Sequence, residues 1–215
     1  DKEFTKKVLA AADLPVAPEV ILKGRTELSE DEKQQLGLPV FVKPARGGSS
    51  IGVSKVTTWE EFPAAVALAL EDDEKILVEP EIVGKEVEIG VLHYADGTLL
   101  ASVPALLAGI DDSDEGFYGF DTKYLDNVVT AEIPAPFAPE LTEKLRDMAI
   151  RAFEALNCEG LSRVDFFVTK DSVYINEINT LPGFTPISMY PQVLAASGVE
   201  YPALLEALIE QALAK

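Results

Sequence analysis

A chain of 215 residues with 47% hydrophobic content can bury cores of useful size in one large or two small domains. Eighteen basic residues against 37 acidic ones leave a formal charge of −19, which argues against DNA, RNA or anionic membrane as a partner. An anionic small substrate would need local lysines, arginines or bridging metal ions.

No apolar run approaches the ~20 residues that span a bilayer, and no signal-peptide pattern opens the chain. The single cysteine, Cys158, cannot form an internal disulfide, so a reducing cytoplasm is the expected location. Cys158 itself reads as a small buried hydrophobe at a helix end.

Phe4, Val8, Leu9 and Ala12 recur at helical spacing, which predicts a helix over Lys2 to Ala12 that the prolines of "DLPVAP" stop. Because Asp1 is not a methionine and stands at the start of this helix, the chain is expected to be cut from a longer protein. "LPVFVKPA" is a β-branched run, read as a strand ending at Pro44, and "IGVSKV" as the returning strand of a hairpin. Between them Gly47, Gly48, Ser49, Ser50 and Gly52 have the composition of a phosphate-gripping loop, with Lys43 just before. The order fits neither Gly-x-x-x-x-Gly-Lys-Ser/Thr nor Gly-x-Gly-x-x-Gly. A nucleotide here would be held by another design.

Thr58 is expected to cap a helix over Trp59 to Leu70, with Glu60 and Glu61 in its first turn. "KILVEP" reads as a strand that ends at Glu79, and Glu86 follows after a glycine. Acidic groups at such a turn can accept from an exocyclic amine or from ribose hydroxyls, although Glu-rich turns are also typical of an acidic surface. "KEVEIGVLHY" and "TLLASVPAL" are expected to pair around "ADG". Residues 107–132, rich in Gly, Asp and Tyr, are expected to be an irregular lid or else disordered. A helix over Pro139 to Asn157, the strands "LSRVDFFV" and "SVYINEIN", and two helices complete the chain. Antiparallel hairpins alternating with helices predict an α+β fold rather than a parallel βαβ sheet.

The hairpin around "TKDS" carries the most chemistry. Arg163 and Asp165 lie two apart on one strand, and Glu177 and Asn179 do the same on the next, so each pair shares a face. A loop of Lys170, Asp171 and Ser172 would pair Thr169 with Val173, Asp165 with Glu177 and Arg163 with Asn179. A two-residue loop would scatter the four. The other face would carry Val164, Phe166, Val168, Tyr174 and Ile178, interrupted by Asn176. Two carboxylates and an amide oxygen on one face suit a hard divalent cation such as Mg²⁺ with phosphates completing its shell; a solvated face with cross-strand charge pairs is the alternative. Arg163 beside them could hold an oxyanion. The only histidine, His93, has no nearby partner in sequence, and it reads as structural, which excludes a catalytic triad.

Together "LPVAP", "VKPARGGSSIGVSKV", "LVEPEIVGKE", "TKYL", "SRVDFF" and "INEINTLPGFTPISMYP" resemble the ATP-grasp superfamily and, within it, the D-alanine–D-alanine ligases, in the family's order and over essentially the whole chain. The resemblance implies two α+β subdomains, at 1–80 and 81–215, gripping ATP between them, with the glycine-serine loop as a flap. It implies phosphate contacts from Lys2, Lys43 and, on a second lid, Lys123. Ser49 and Ser50 would belong to the flap and Tyr124 would pack towards it. Glu79 and the backbone near Ile82 would read adenine, and Glu86 the ribose. Asp165, Glu177 and Asn179 would ligate two Mg²⁺ or Mn²⁺ ions, Arg163 and the Gly183 backbone would stabilise an oxyanion, and Ser188 with Met189 would meet the second D-alanine. The implied reaction joins two D-alanines through an acylphosphate, for peptidoglycan precursor synthesis in the cytoplasm, by a full-length homodimer. Such ligases carry a further N-terminal domain that supplies much of the first D-alanine site, so these residues alone are expected to bind Mg·ATP without efficient dipeptide synthesis. Pro80, where many members place lysine, removes a backbone donor beside the adenine. An incomplete nucleotide-binding module, or a ligase for D-lactate or D-serine, would be the alternatives; "TKYL" speaks against D-lactate.

Overall fold

The computed structural model describes residues 1–108 and 130–214. Among them the chain separates into two compact units, one formed by Asp1–Lys7 with Ala17–Val83, the other by Val8–Val16, Gly84–Ala108 and the residues from Thr130 onward.

In the first unit, strands β1 (Val20–Lys23), β2 (Val40–Pro44), β3 (Ser54–Val56) and β4 (Lys75–Pro80) form an antiparallel sheet in the order β1-β4-β2-β3. Alternation sends Val20, Leu22, Val40, Val42, Ile76 and Val78 to one face, where Phe62, Ala65, Val66 and Ala69 of helix α3 (Phe62–Ala69) cover them. Each large side chain so buried contributes about 1.5–3 kcal/mol. Helix α1 (Lys2–Ala11) begins in this unit. Helix α2 (Glu30–Leu36) is an element the periodicity did not reveal, because it is too short to show one. Its signal was a capping box: Ser29 Oγ accepts from the Glu32 N–H, and the Glu32 carboxylate accepts from the Ser29 N–H.

Helix α3 starts later than expected and Thr58 does not cap it. Instead the Glu61 carboxylate accepts from the backbone N–H groups of Thr57 and Thr58, at 2.8 and 3.1 Å, and so closes the turn before the helix. Pro63 follows in the first turn, where its missing N–H costs nothing.

The second unit holds a six-stranded antiparallel sheet of β5 (Lys85–His93), β6 (Leu99–Ala101), β7 (Ala105–Ala108), β8 (Thr130–Glu132), β9 (Leu161–Val168) and β10 (Val173–Asn179). The path runs β10-β9-β5-β7-β8, and β6 also pairs with β5. Helix α4 (Pro139–Ala155) lays Leu145, Met148, Ala149, Ala152 and Phe153 over Val87, Ile89, Val91, Val164 and Phe166. On the opposite face, helices α5 (Met189–Ala196) and α6 (Tyr201–Leu213) bring Tyr190, Val193, Leu194 and Leu204 against Leu92. Gly90 permits this approach, since a Cβ there would lie 2.5 Å from Leu194 Cδ2.

The expected strand over "TLLASVPAL" divides in two at Ser102–Pro104. Ser102 repairs the ladder at the break: its N–H donates to the Gly90 carbonyl at 2.8 Å, and its Oγ accepts from the Gly90 N–H at 2.9 Å. The stretch 107–132 is regular at both ends, in β7 and β8, and its middle, with the expected lid, lies outside the described residues. No described helix is long and apolar enough to cross a membrane.

Candidate functional site

The β9–β10 hairpin sets the first half of the site. Val173 pairs with Val168 rather than with Thr169, so the loop is one residue longer than expected. A bulge at Asn176 then shifts the register back, and Glu177 stands opposite Asp165 and Asn179 opposite Arg163. The bulge also corrects the core face. Val173 and Ile175 are the buried residues there, with Tyr174 only half-buried, and Ile178 returns inward after the extra residue.

Strand β5 extends the same face. Glu88 pairs with Asp165, and Gly90 with Arg163, so Glu88, Asp165 and Glu177 form a row across three strands. The Arg163 guanidinium grips Asp165 with two parallel bonds, Nε to Oδ1 at 2.7 Å and Nη2 to Oδ2 at 2.8 Å. It also lies 3.1 Å from the Glu88 carboxylate, and Asn179 Nδ2 donates to Asp165 Oδ2 at 3.0 Å. Burial opposes the Arg163 charge, but Asp165, Glu88 and Glu177 outweigh it and raise its pKa. Glu88 escaped the sequence reading. Its signal was the alternation Glu86-Val87-Glu88, which puts two carboxylates on one face of a strand.

As a test for a divalent cation, Asp165, Glu177 and Asn179 offer hard oxygen donors on one face, which fits Mg²⁺ chemistry. They make a partial shell. Among the described residues no set of three or more His, Cys, Asp or Glu could hold a cation by itself. Asp165 is committed here to Arg163 and Asn179, so a metal would share it with them. Glu86 lies half-buried on β5 opposite Phe167. Gly183 stands in the loop before α5, where the Thr185 N–H donates to Ser188 Oγ at 3.1 Å and the Ser188 N–H to the Thr185 carbonyl at 2.8 Å. Ser188 is the N-cap position of α5 and Met189 its first residue.

In the first unit, the loop between β2 and β3 turns through Ser49 and Ser50 with φ of 53° and 57°. Gly52 follows at φ 70°, and a Cβ there would lie 2.5 Å from Asp72 Oδ2, so a side chain meets both strain and a neighbour. Lys2 Nζ donates to the Gly47 carbonyl at 3.0 Å and fastens α1 to the loop. Asp73, 7% exposed, anchors the loop's base by accepting from the Arg46 and Lys75 N–H groups at 2.8 and 3.1 Å.

Glu79 is 5% exposed on β4, and its two oxygens meet two lysines: Lys6 at Oε1 and Lys43 at Oε2. Lys6, 4% exposed, also donates to the Ala17 carbonyl at 3.1 Å and lies 3.3 Å from Glu19. Burial lowers its pKa, with Glu19 opposing. Lys6 too escaped the sequence reading, although it falls four residues after Lys2, on the same helix face. Ile82 is half-buried just past β4, beside Glu81, which pairs with Lys55 at 2.7 Å. Lys123 and Tyr124 lie outside the described residues. His93 is half-buried with its ring edge-on to Phe153, and burial pushes the Cys158 thiol pKa up, away from a nucleophile.

The family model for the D-ala D-ala ligase C-terminus matches residues 8–210. The chain belongs to this family. It is 65% identical over 213 residues to a D-alanine–D-alanine ligase of Corynebacterium efficiens, covering 99% of this chain and 59% of that relative. The fold superimposes on the D-alanine–D-alanine ligase of Coxiella burnetii with a TM-score of 0.83 at 37% identity, covering 99% of this chain and 56% of the other. It matches a D-alanine–D-alanine ligase of Bacillus anthracis, complexed with ATP, with a TM-score of 0.81 at 27% identity, covering 99% and 65%. The α+β layers are thus those of the ATP-grasp D-Ala–D-Ala ligases. The chain spans about 59% of the length of the curated relatives it matches.

Proposed function

We propose that this chain carries the nucleotide, metal and acceptor machinery of an ATP-dependent ligase that joins two D-alanines. The observation that carries the reading is the single sheet face on which Arg163, Asp165, Glu177 and Asn179 meet across paired strands. The 65% identity to a D-alanine–D-alanine ligase supports the substrate, and the ATP complex of the Bacillus anthracis relative supports the nucleotide.

In this reading residues 1–80 and 81–215 are the two ATP-grasp subdomains. Glu79 accepts from the adenine amine, with the backbone at Ile82 beside it, and Glu86 accepts from the ribose. Lys2, Lys43 and Lys123 offset phosphate charge, Ser49 and Ser50 belong to the flap over the phosphates, and Tyr124 packs towards that flap. The carboxylate of one D-alanine attacks the γ-phosphorus, ADP leaves, and an acylphosphate forms. The second D-alanine is held by its carboxylate at Ser188 and Met189, and its amine attacks the acyl carbon and displaces phosphate. Arg163 and the Gly183 N–H donate to the developing oxyanion, held where charge appears rather than recruited to it. Asp165, Glu177 and Asn179 would hold magnesium or manganese, which when bound neutralises the phosphoryl charge. The reading extends to peptidoglycan precursor synthesis in the cytoplasm by a homodimeric full-length ligase.

Glu177→Gln tests it. Calorimetry with ATP and Mg²⁺ should show binding to the unaltered chain and none to the variant, with far-UV circular dichroism unchanged. Equal Mg·ATP affinity in both proteins would overturn the metal assignment.

A further inference from the structure

We infer that Lys6 is a positioning residue of the nucleotide site, which holds the Glu79 carboxylate from behind while Lys43 exchanges from Glu79 onto a phosphate. The inference rests on the nucleotide reading above. Its basis is a buried carboxylate with a different lysine on each oxygen. The two lysines are not equivalent. Lys6 is enclosed, with the Ala17 carbonyl and Glu19 as its other partners, and it sits on α1, with its stem packed into the unit. Lys43 lies on β2, one residue before Pro44 and four before Gly47, where the glycine-serine loop departs. Of the two ammonium groups, Lys43 is the one adjacent to the candidate phosphate loop.

The consequence is electrostatic. A carboxylate at 5% exposure that lost its cation would be stranded in a poorly solvated place, and leaving one member of a buried pair alone is strongly unfavourable. Lys6 removes that penalty when Lys43 departs, so Glu79 stays charged and fixed as an acceptor. An acceptor at this point favours the adenine amine and disfavours the guanine carbonyl at the equivalent ring position. Lys6 thereby sets base preference without touching the base.

The test compares ATP, GTP and inorganic tripolyphosphate, each with Mg²⁺, by calorimetry on the unaltered chain, Lys6→Met and Lys6→Arg. Lys6→Met should weaken ATP at least about tenfold, or 1.4 kcal/mol. It should reduce the ATP-over-GTP preference by a similar factor and weaken tripolyphosphate less than ATP, because tripolyphosphate draws Lys43 off Glu79 but makes no base contact. Lys6→Arg should restore most of the preference. Failure of the unaltered chain to bind ATP would sink the nucleotide reading and this inference with it. Normal binding by the unaltered chain together with an unchanged ATP-over-GTP preference in Lys6→Met would overturn the inference alone. So would an equal loss of ATP, GTP and tripolyphosphate. Should Lys6→Met not fold, Lys6→Met/Glu79→Gln removes both buried charges together and is compared with Glu79→Gln. Equal ATP affinity in these two supports the coupling, and a further loss in the double variant overturns it.

Discussion

At the scale of single residues, the bulge at Asn176 decides which side chains of β10 do what. It lets Ile175 and Ile178 both face the core although they are three apart, and it turns Glu177 and Asn179 to the face that holds Arg163 and Asp165. Simple alternation would have buried Tyr174 instead. The two registers make opposite predictions. Ile175→Ala should cost about 2–5 kcal/mol in urea unfolding, as expected for a fully enclosed aliphatic side chain. Tyr174→Ala, at a half-buried position, should cost clearly less. A larger loss from Tyr174→Ala than from Ile175→Ala would refute the bulged register.

Among the elements, the glycine-serine loop is fastened at its ends, and its middle turns through two positive-φ serines. Asp73 holds the Arg46 N–H, Lys2 holds the Gly47 carbonyl, and the described backbone bonds within the loop are two short turn contacts, Ile51 to Gly48 and Val53 to Ser50. Such a segment opens locally at little cost. Amides 47–52 should therefore exchange faster than the anchored Arg46 amide in the nucleotide-free chain and slow by at least about tenfold when Mg·ATP is added, read by mass spectrometry. Equal exchange rates with and without nucleotide would remove the loop from the proposed mechanism.

The molecule as a whole carries an excess of carboxylates, and its response to acid depends on which of them are engaged. Hydrogen bonds to Lys7 and then Lys75 push Glu3 down to about 2, and those to Arg25 and then the Ser29 backbone do the same for Glu32. A folded-state pKa below the unfolded value of about 4.3 means the unfolded chain binds more protons, so this stabilisation is complete above about pH 5 and is lost as pH falls towards 2. Glu32→Gln should accordingly lower the melting temperature at pH 7 but have little effect near pH 2. An equal decrement at both pH values would show that the Arg25–Glu32 pair contributes nothing through its ionisation.

Apart from α2, the helix and strand types, the antiparallel α+β character, the glycine-serine loop and the pairs Arg163 with Asp165 and Glu177 with Asn179 were legible in the sequence. Each is written in local period or in residue chemistry, and both survive without the rest of the fold. Four features were settled only in three dimensions: the bulge at Asn176, the break at Ser102, the late start of α3, and the burial of Lys6 against Glu79. A ladder can absorb an extra residue wherever its neighbours accept the shifted hydrogen bonds, and no composition marks that place. An ammonium can be buried only where carboxylates and carbonyls wait for it, and for Lys6 the decisive carboxylate lies 73 residues away along the chain.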